Sequence, residues 1–512
     1  MTDIVLCTAN ARFAHASLGL RCLLANLGEL RTRAMILEVT LEDRARDIAE
    51  KILAQEPRIV GLGVYIWNVD LMAQVAGVLR RVAPQVKLVL GGPEVSCPSD
   101  LPAMASLGHH VVCGEGEERF ASLCQALLDG LAPPFFWDGP PPDLLHLAFP
   151  YELYDEADLA HRWTYIETTR GCPHGCEFCL SALDRKVRRF PAQGTAHELT
   201  RLLQRGARKL KVLDRTILPR QLRLLADVVR PYAHDGLFLH LEAVPDRLTD
   251  RDLELLAEFP KGAVQIEAGI QSLDSAVLKR ISRKQSQAKA LERLRTLLER
   301  TFAHVHADLV VGLPGETMDS LATGFDSLLE TGVHEIQVGM LKRLRGAPIA
   351  RHEGPFDLRF EGHAPYEILA TSTIDFDQMQ RLRRLSRVFD LVHNSGRFRG
   401  FCKSLVHGRS AFEAHLALAD SVQGRAGRTA KLSLSNFAGY LFDHATLDLG
   451  KDPRAVAEMI TSDLERTSRE APPARVQQHL DPQRPRASRA MASDLPQRQS
   501  RHREDRCPSV GE

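Results

Sequence analysis

The chain has almost no net charge: 66 Lys and Arg stand against 65 Asp and Glu, a formal +1 over 512 residues. That balance excludes a global electrostatic pull toward nucleic acid or an anionic membrane, so partners have to be read from sites. Long apolar runs are missing too. None reaches the roughly 18 residues that span a bilayer, and the opening Met1-Thr2-Asp3-Ile4-Val5-Leu6-Cys7 has no basic segment followed by an apolar one, so a cytoplasmic protein is expected. The ten cysteines are scattered and make no disulfide framework. With 44% hydrophobic and 26% charged residues the composition is that of an ordinary soluble protein, and 512 residues exceed one core, so two globular domains with extensions are expected.

What is present is one dense cysteine cluster, Cys172, Cys176 and Cys179, in Thr168-Thr169-Arg170-Gly171-Cys172-Pro173-His174-Gly175-Cys176-Glu177-Phe178-Cys179. Three thiolates at this spacing hold a four-iron cluster with one iron left open, whereas an electron-transfer cluster of this type takes four cysteines. The competing reading is a zinc knuckle completed by His174 or a distant residue. No second CxxC or HxxxH pair is within reach to support it.

Two alternating βα series surround this cluster. In the first, strand-like runs at 3–8, 34–39, 59–66, 86–91 and 110–113 alternate with helix-period stretches at 18–30, 44–56, 69–82, 98–104 and 119–128. Five such strands imply a flavodoxin-like, doubly wound parallel sheet that binds its ligand at the carboxyl ends of its strands. Residues 131–162 are proline-rich and read as a linker. The second series has strands near 164–168, 209–213, 237–242, 263–269, 304–311 and 335–341, which suggests a partial (β/α)6 barrel. After these strands come, in order, the cysteine loop, Asp214, Glu242, Gln271, the Gly312-Leu313-Pro314-Gly315-Glu316 turn and Lys342. Strand carboxyl ends are where such barrels build active sites. The expected division is 1–130, a linker over 131–162, a core over 163–342, a helical extension over 343–467, and a disordered Arg-, Gln-, Pro- and Ser-rich tail over 468–512.

The cysteine motif, with Phe178 before the last cysteine, resembles the radical S-adenosylmethionine (SAM) family, and the likeness covers most of 164–341. It implies a [4Fe-4S] cluster on Cys172, Cys176 and Cys179 that splits SAM to a 5′-deoxyadenosyl radical. It also implies an external electron donor such as flavodoxin or ferredoxin. SAM contacts are implied at Phe178, Asp214, Glu242, Glu267, Gly269, Gln271, Ser272, Gly312, Pro314 and Gly315. The first domain resembles the cobalamin-binding modules that precede many radical SAM domains, through Gly61-Leu62-Gly63-Val64-Tyr65-Ile66-Trp67, Gly91-Gly92-Pro93-Glu94 and Gly114-Glu115-Gly116-Glu117. Cobalamin contacts are thereby implied at Gly61, Tyr65, Gly91, Gly92, Glu94, Gly114, Glu115, Gly116 and Glu117. The family's Asp-x-His-x-x-Gly loop is replaced by Arg12-Phe13-Ala14-His15-Ala16-Ser17-Leu18-Gly19. His15 is therefore a weak cobalt ligand, with no carboxylate to hold its other nitrogen.

With Ala364-Pro365-Tyr366-Glu367-Ile368-Leu369 and His393-Asn394-Ser395-Gly396-Arg397, the arrangement is similar to a subgroup of cobalamin-binding radical SAM proteins ending in an uncharacterised accessory domain. The resemblance implies methyl transfer to an unactivated carbon of a small molecule. Radical cyclisation or rearrangement, and a non-catalytic cobalamin or redox sensor, stay open. The methylthiotransferase branch is disfavoured, because Cys7, Cys22, Cys97, Cys113 and Cys124 mostly fall in expected strands and helices, where a thiol acts as a small apolar residue.

Overall fold

The computed structural model describes residues 2–468, 470–483, 499, 501 and 502. The chain divides into two compact units. The first holds residues 2–241, 342–351 and 360–367. The second holds 242–341, 352–359 and the described residues from 368 on.

The first unit opens with a six-stranded parallel sheet: β1 (Ile4–Asn10), β2 (Ala34–Thr40), β3 (Ile59–Gly63), β4 (Lys87–Gly91), β5 (His110–Val112) and β6 (Phe136–Trp137), in the order β2-β1-β3-β4-β5-β6. The order of the first five is the flavodoxin one, with its switch point between β1 and β3. Strand β1 is buried along its whole length, as expected of a central parallel strand covered on both faces. Val5 and Cys7 pack with Ile48, Ile52, Met72 and Val75, while Ile4 and Leu6 pack with Leu20, Leu24, Phe120 and Leu123.

Strand β6 lies in the stretch expected to be a linker. Phe136 and Trp137 pair in parallel with Val111 and Val112, so burial beside a pre-formed edge outweighs the flanking prolines. A capped helix, Glu156–His161, follows, with Asp155 accepting from the Asp158 amide. The expected helix at 98–104 is instead a short 3₁₀ turn, Ala103–Leu107.

The second sheet comprises β7 (Thr164–Ile166), β10 (Lys209–Val212), β11 (Phe238–Ala243), β12 (Val264–Gln271), β13 (His304–Val311) and β14 (Glu335–Met340), in simple sequential order. The division between units falls within β11. Between β7 and β10, β8 (Thr169–Arg170) and β9 (Arg188–Arg189) pair antiparallel and close the cysteine loop at its base. In β12 and β13 burial alternates: Val264, Ile266, Ala268 and Ile270 are buried, while Gln265, Glu267, Gly269 and Gln271 share the half-open face.

After β14 the chain returns to the first unit at 342–351 and 360–367 before the helical region of the second unit begins. That region holds helices Phe376–Phe389, Arg399–Val406, Ala411–Ala426, Leu434–Asp443 and Pro453–Thr467, and its core includes Phe325, Phe389, Phe398, Phe401, Phe412 and Phe437. Part of the expected tail, 468–483, carries a short helix, Ala474–Gln477, because Val476 is fully buried and Arg475 pairs with Asp443 at 3.3 Å. Most of the remainder lies outside the described residues.

Candidate functional site

The carboxyl ends of β1, β3, β4 and β5 open onto a cavity of about 300 Å³. Gly61, Tyr65, Gly91, Gly92, Gly114, Glu115, Gly116 and Glu117 all line it. At Gly91 an added Cβ would meet nothing nearer than the Val112 carbonyl at 3.9 Å, so the missing side chain leaves open space. Gly92 is different. Its φ of +106° and the Val64 carbonyl pressed against it admit no side chain, so it shapes the turn out of β4. Beside the slot, at the end of β3, Tyr65 stacks on Trp67 with ring centroids 4.5 Å apart, and Trp67 is 48% exposed.

The charged groups at the mouth of this cavity pair with one another. Arg170 reaches Glu115 at 2.8 Å, Glu117 at 2.6 Å and Glu167 at 2.6 Å, and Arg188 also pairs with Glu115. Glu115 and Glu117 were expected as cobalamin contacts. They border the cavity, but their carboxylates are committed to these arginines, which hold that of Glu115 below the usual range against the cost of burial. Arg170 stands two residues before Cys172 and lines the same cavity, so the cysteine loop is tied to the edge of the first sheet. Sequence reading missed this role; the signal was an arginine inside the cysteine motif and a Glu-x-Glu after β5.

Glu94 is absent from the cavity lining. It is 3% exposed and accepts from Arg345 at 2.7 Å and from the Tyr366 hydroxyl at 2.9 Å. Arg343 and Arg345 also bind Asp100, at 2.7 and 3.0 Å, so the returning strap clamps the loop after β4. His15 lies outside the lining as well. Its Nδ1 is 2.6 Å from the Tyr165 hydroxyl, and burial lowers its pKa from the ordinary histidine value.

The cysteine loop, 171–187, folds back on itself. Gly171 has φ +85°, and a Cβ there would collide with the Lys186 carbonyl. The Cys172 amide donates to the Asp184 carbonyl at 2.9 Å and the Cys179 amide to Cys176 at 3.0 Å. Cys172 and Cys176 are buried, and Cys179 and Phe178 are partly exposed. Glu177 is buried and accepts from Arg351 at 2.7 Å. Among the described residues, one set of three His, Cys or acidic groups has its donor atoms all within 4.8 Å, and Cys172, Cys176, Cys179 and His174 are not in it. A single zinc would need donors about 3.8 Å apart.

Asp214 is 1% exposed. Its carboxylate accepts from the Thr168 amide at 2.7 Å, the Thr169 amide at 3.1 Å and the Thr168 hydroxyl. It therefore holds the chain entering the cysteine loop, and burial raises its pKa despite those bonds.

In the second unit, Glu242 ends β11, partly buried, and Glu267, Gly269 and Gln271 line the half-open face of β12. The register of β12 against β13 slips between Gly269 and Gln271, and Gln271 has φ +73°. Glu267 is paired in register with His306 and Gly269 with Asp308, two polar residues that sequence reading had not singled out. Ser272 donates to Glu316 at 2.6 Å. Glu316 is 1% exposed, and burial pushes its pKa up to about 8. Gly312 and Gly315 have φ of +89° and +72°; Ile368 crowds the first and Arg280 the second, and the carbonyl of Pro314 between them accepts from the Arg280 guanidinium at 3.1 Å.

Comparison with known proteins agrees with this geometry. The B12 binding domain model matches residues 4–124, the radical SAM superfamily model 166–327, and a model described as a protein of unknown function (DUF4080) 354–503. The chain thus carries a B12-binding domain and a radical SAM domain ahead of that C-terminal domain. Its cofactors are a [4Fe-4S] cluster, SAM and cobalamin. It is similar to 2-(S-pantetheinyl)-carbapenam-3-carboxylate methyltransferase of Streptantibioticus cattleyicolor, 28% identical over 344 residues, 61% of this chain and 50% of that one. It is also similar to the cobalamin-dependent radical SAM methyltransferase TokK of Streptomyces tokunonensis, 29% identical over 334 residues, 57% of this chain and 48% of that one. The chain thus spans about half the length of these curated relatives. The fold is like that of the cobalamin-dependent SAM radical enzyme OxsB with aqua-cobalamin bound, with TM-score 0.59 at 14% identity over 91% of this chain and 80% of that one.

Proposed function

We propose that this protein is a cobalamin-dependent radical SAM methyltransferase acting on an unactivated carbon of a small molecule, with Cys172, Cys176 and Cys179 holding the cluster. The carrying observation is Arg170: one side chain enters the cobalamin slot while its backbone leads into the cluster loop. That linkage supports the reading, because it joins the proposed cobalamin slot and the proposed cluster loop within one unit, as a reaction using both would require. When bound, the cluster supplies the electron that cleaves SAM, and cobalamin carries the methyl group.

The chain's own residues have three tasks in this reading. Gly91 leaves room for the cofactor's tail, and the Tyr65–Trp67 stack offers a flat apolar surface beside it. Arg170 and Arg188 engage the carboxylates at the slot in ion pairs. Glu267, Gly269, Gln271 and Ser272 are the SAM contacts proposed in the second unit, with Glu316 fixing Ser272. His15 is proposed to leave the cobalt alone. The reductant is proposed to be an external flavodoxin- or ferredoxin-like donor. None of the described helices is long and apolar enough to cross a membrane.

The test is anaerobic turnover of the reconstituted full chain with reductant, a small-molecule extract and SAM carrying an isotopically labelled methyl group. Both 5′-deoxyadenosine and S-adenosylhomocysteine are expected in comparable amounts, with label in cobalamin and in a product. Accumulation of 5′-deoxyadenosine while label never enters either would replace methyl transfer by cyclisation or rearrangement. Absence of 5′-deoxyadenosine would favour the sensor.

A further inference from the structure

The set of three close donors lies in the C-terminal helical domain, away from every residue assigned above. His393, Cys402 and His415 come from three successive elements: the π-helical turn Asp390–Asn394, helix Arg399–Val406 and helix Ala411–Ala426. Single π-turns widen a helix by one residue and occur mostly where a side chain must be re-aimed. The donor atoms of the three all lie within 4.8 Å of one another. The spacing that tetrahedral zinc imposes on imidazole and thiolate donors is about 3.3 to 3.8 Å, so a small closure suffices.

The second observation concerns His415. It is 1% exposed, its Nδ1 donates to the Ala411 carbonyl at 2.7 Å, and its buried Nε2 has no hydrogen-bond partner. A backbone carbonyl on one ring nitrogen and nothing on the other is the arrangement that orients a metal-ligating histidine. Leaving a buried ring nitrogen unpaired is otherwise unfavourable. Other histidines around the same cavity, of about 500 Å³, are satisfied: His334 Nδ1 accepts from the Val305 amide at 3.0 Å and His502 Nε2 is 3.0 Å from the Asn394 carbonyl. Cys402 is buried, with its Sγ 3.5 Å from the Val392 carbonyl.

We propose that His393, Cys402 and His415 form a mononuclear site for a borderline divalent transition metal, zinc in the first instance, in the C-terminal domain. Two imidazoles and one thiolate suit zinc better than a hard cation, which prefers oxygen. Burial favours the neutral, ligating form of both rings, and it also raises the Cys402 thiol well above its ordinary value, so the thiolate would form only as the metal binds and releases its proton. All three donors border the cavity, whose lining also includes Lys261, Arg399 and Lys403. A hydroxide or carboxylate completing the coordination would meet opposite charge there. The competing account is plain aromatic packing, since Phe389 stacks on His393 at 4.7 Å and meets His415 edge-on at 4.9 Å.

Zinc K-edge absorption separates the accounts, because it is blind to the iron of the cluster. The full chain, reconstituted with iron and sulfide, is equilibrated with zinc chloride and desalted. About one zinc per chain is expected, with one sulfur near ~2.3 Å and imidazole nitrogens near ~2.0–2.1 Å. Cys402→Ser and His415→Phe should each weaken zinc retention by on the order of a hundredfold while leaving iron content unchanged. His415→Phe keeps a ring against Phe389, so it tests ligation apart from packing. Zinc should raise the melting temperature of the wild type and not of H415F. No zinc retained by the folded wild type, a three-sulfur zinc shell, or retention indifferent to both substitutions would overturn the site.

Discussion

Glycines at the carboxyl ends of the two sheets are of two kinds: like Gly312 and Gly315 in the second, Gly92 in the first has a positive φ and no room for a side chain, whereas Gly91 beside it faces open space. At the end of the first, Gly91 clears space that the chain leaves open, next to a slot lined by Gly61 and Gly116. At the end of the second, the space above Gly312 and Gly315 is filled by Ile368 and Arg280, and both glycines are there for their positive φ. The same residue type thus marks a ligand's volume in one place and a turn the chain could not otherwise make in the other. A glycine motif locates a site only when its surroundings are also empty.

The carboxylates also differ. At the first sheet Arg188 and Arg170 hold the Glu115 carboxyl below its usual range against burial, although burial raises that of Glu167 beside the same Arg170; at the second, Glu316 is buried against a neutral serine and its pKa is pushed up to about 8. Two guanidinium groups outweigh burial at Glu115, whereas a single hydroxyl does not at Glu316.

The largest expected effect is on the cluster. Replacing any one of Cys172, Cys176 or Cys179 by Ala should abolish the roughly four irons per chain, measured as iron and acid-labile sulfide after anaerobic reconstitution. Stoichiometric zinc in the wild type at these thiols, with no iron uptake, would defeat this assignment.

Next in size, Arg170→Met should leave Glu117 and Glu167 buried without their partner and cost about 3–5 kcal/mol of stability. Denaturant unfolding would measure it. A loss below about 1 kcal/mol would mean that the pairs behave as exposed ones and that the slot is not built on them.

Glu316 gives a sign that can be checked. Its folded pKa of about 8 lies above the ordinary value of 4.5, so the native state binds the extra proton between the two. Its contribution to stability is complete below about 4.5 and is lost as pH rises through about 8, at up to about 1.4 kcal/mol per pH unit. Melting curves of the wild type and Glu316→Gln across this window should converge in slope at both ends and differ between them. A wild-type slope unchanged by the substitution would place the titration elsewhere.

The glycines supply a paired test. Gly91→Val should fold normally but bind cobalamin at least about tenfold more weakly, roughly 1.4 kcal/mol. Gly312→Ala, at positive φ and against Ile368, should cost about 1–2 kcal/mol of stability with cobalamin affinity unchanged. If the two phenotypes were exchanged, the contrast between the two kinds of glycine would fail. The smallest effect is expected at His15: His15→Ala should barely move the visible spectrum of bound cobalamin, because its ring already engages Tyr165. A marked shift would make it the axial ligand.

Both parallel sheets and the cysteine loop were legible in the sequence, because period-two and period-3.6 patterns and a fixed thiol spacing are local signals. The fold class follows from them, whereas the cofactor set was implied by the resemblance of the motifs to the radical SAM and cobalamin-binding families. Three features were decided only by the tertiary structure. Strand β6 formed inside a proline-rich stretch because a sheet edge was there to pair with. Glu94, Glu115 and Glu117 were drawn into ion pairs by Arg345, Arg170 and Arg188, each more than fifty residues away in sequence. His393, Cys402 and His415 met because a π-turn and two helices pack together, at spacings that match no linear metal motif. The physical reason is common to all three: which group neutralises or ligates another depends on distance in space, and periodicity along the chain carries no record of it.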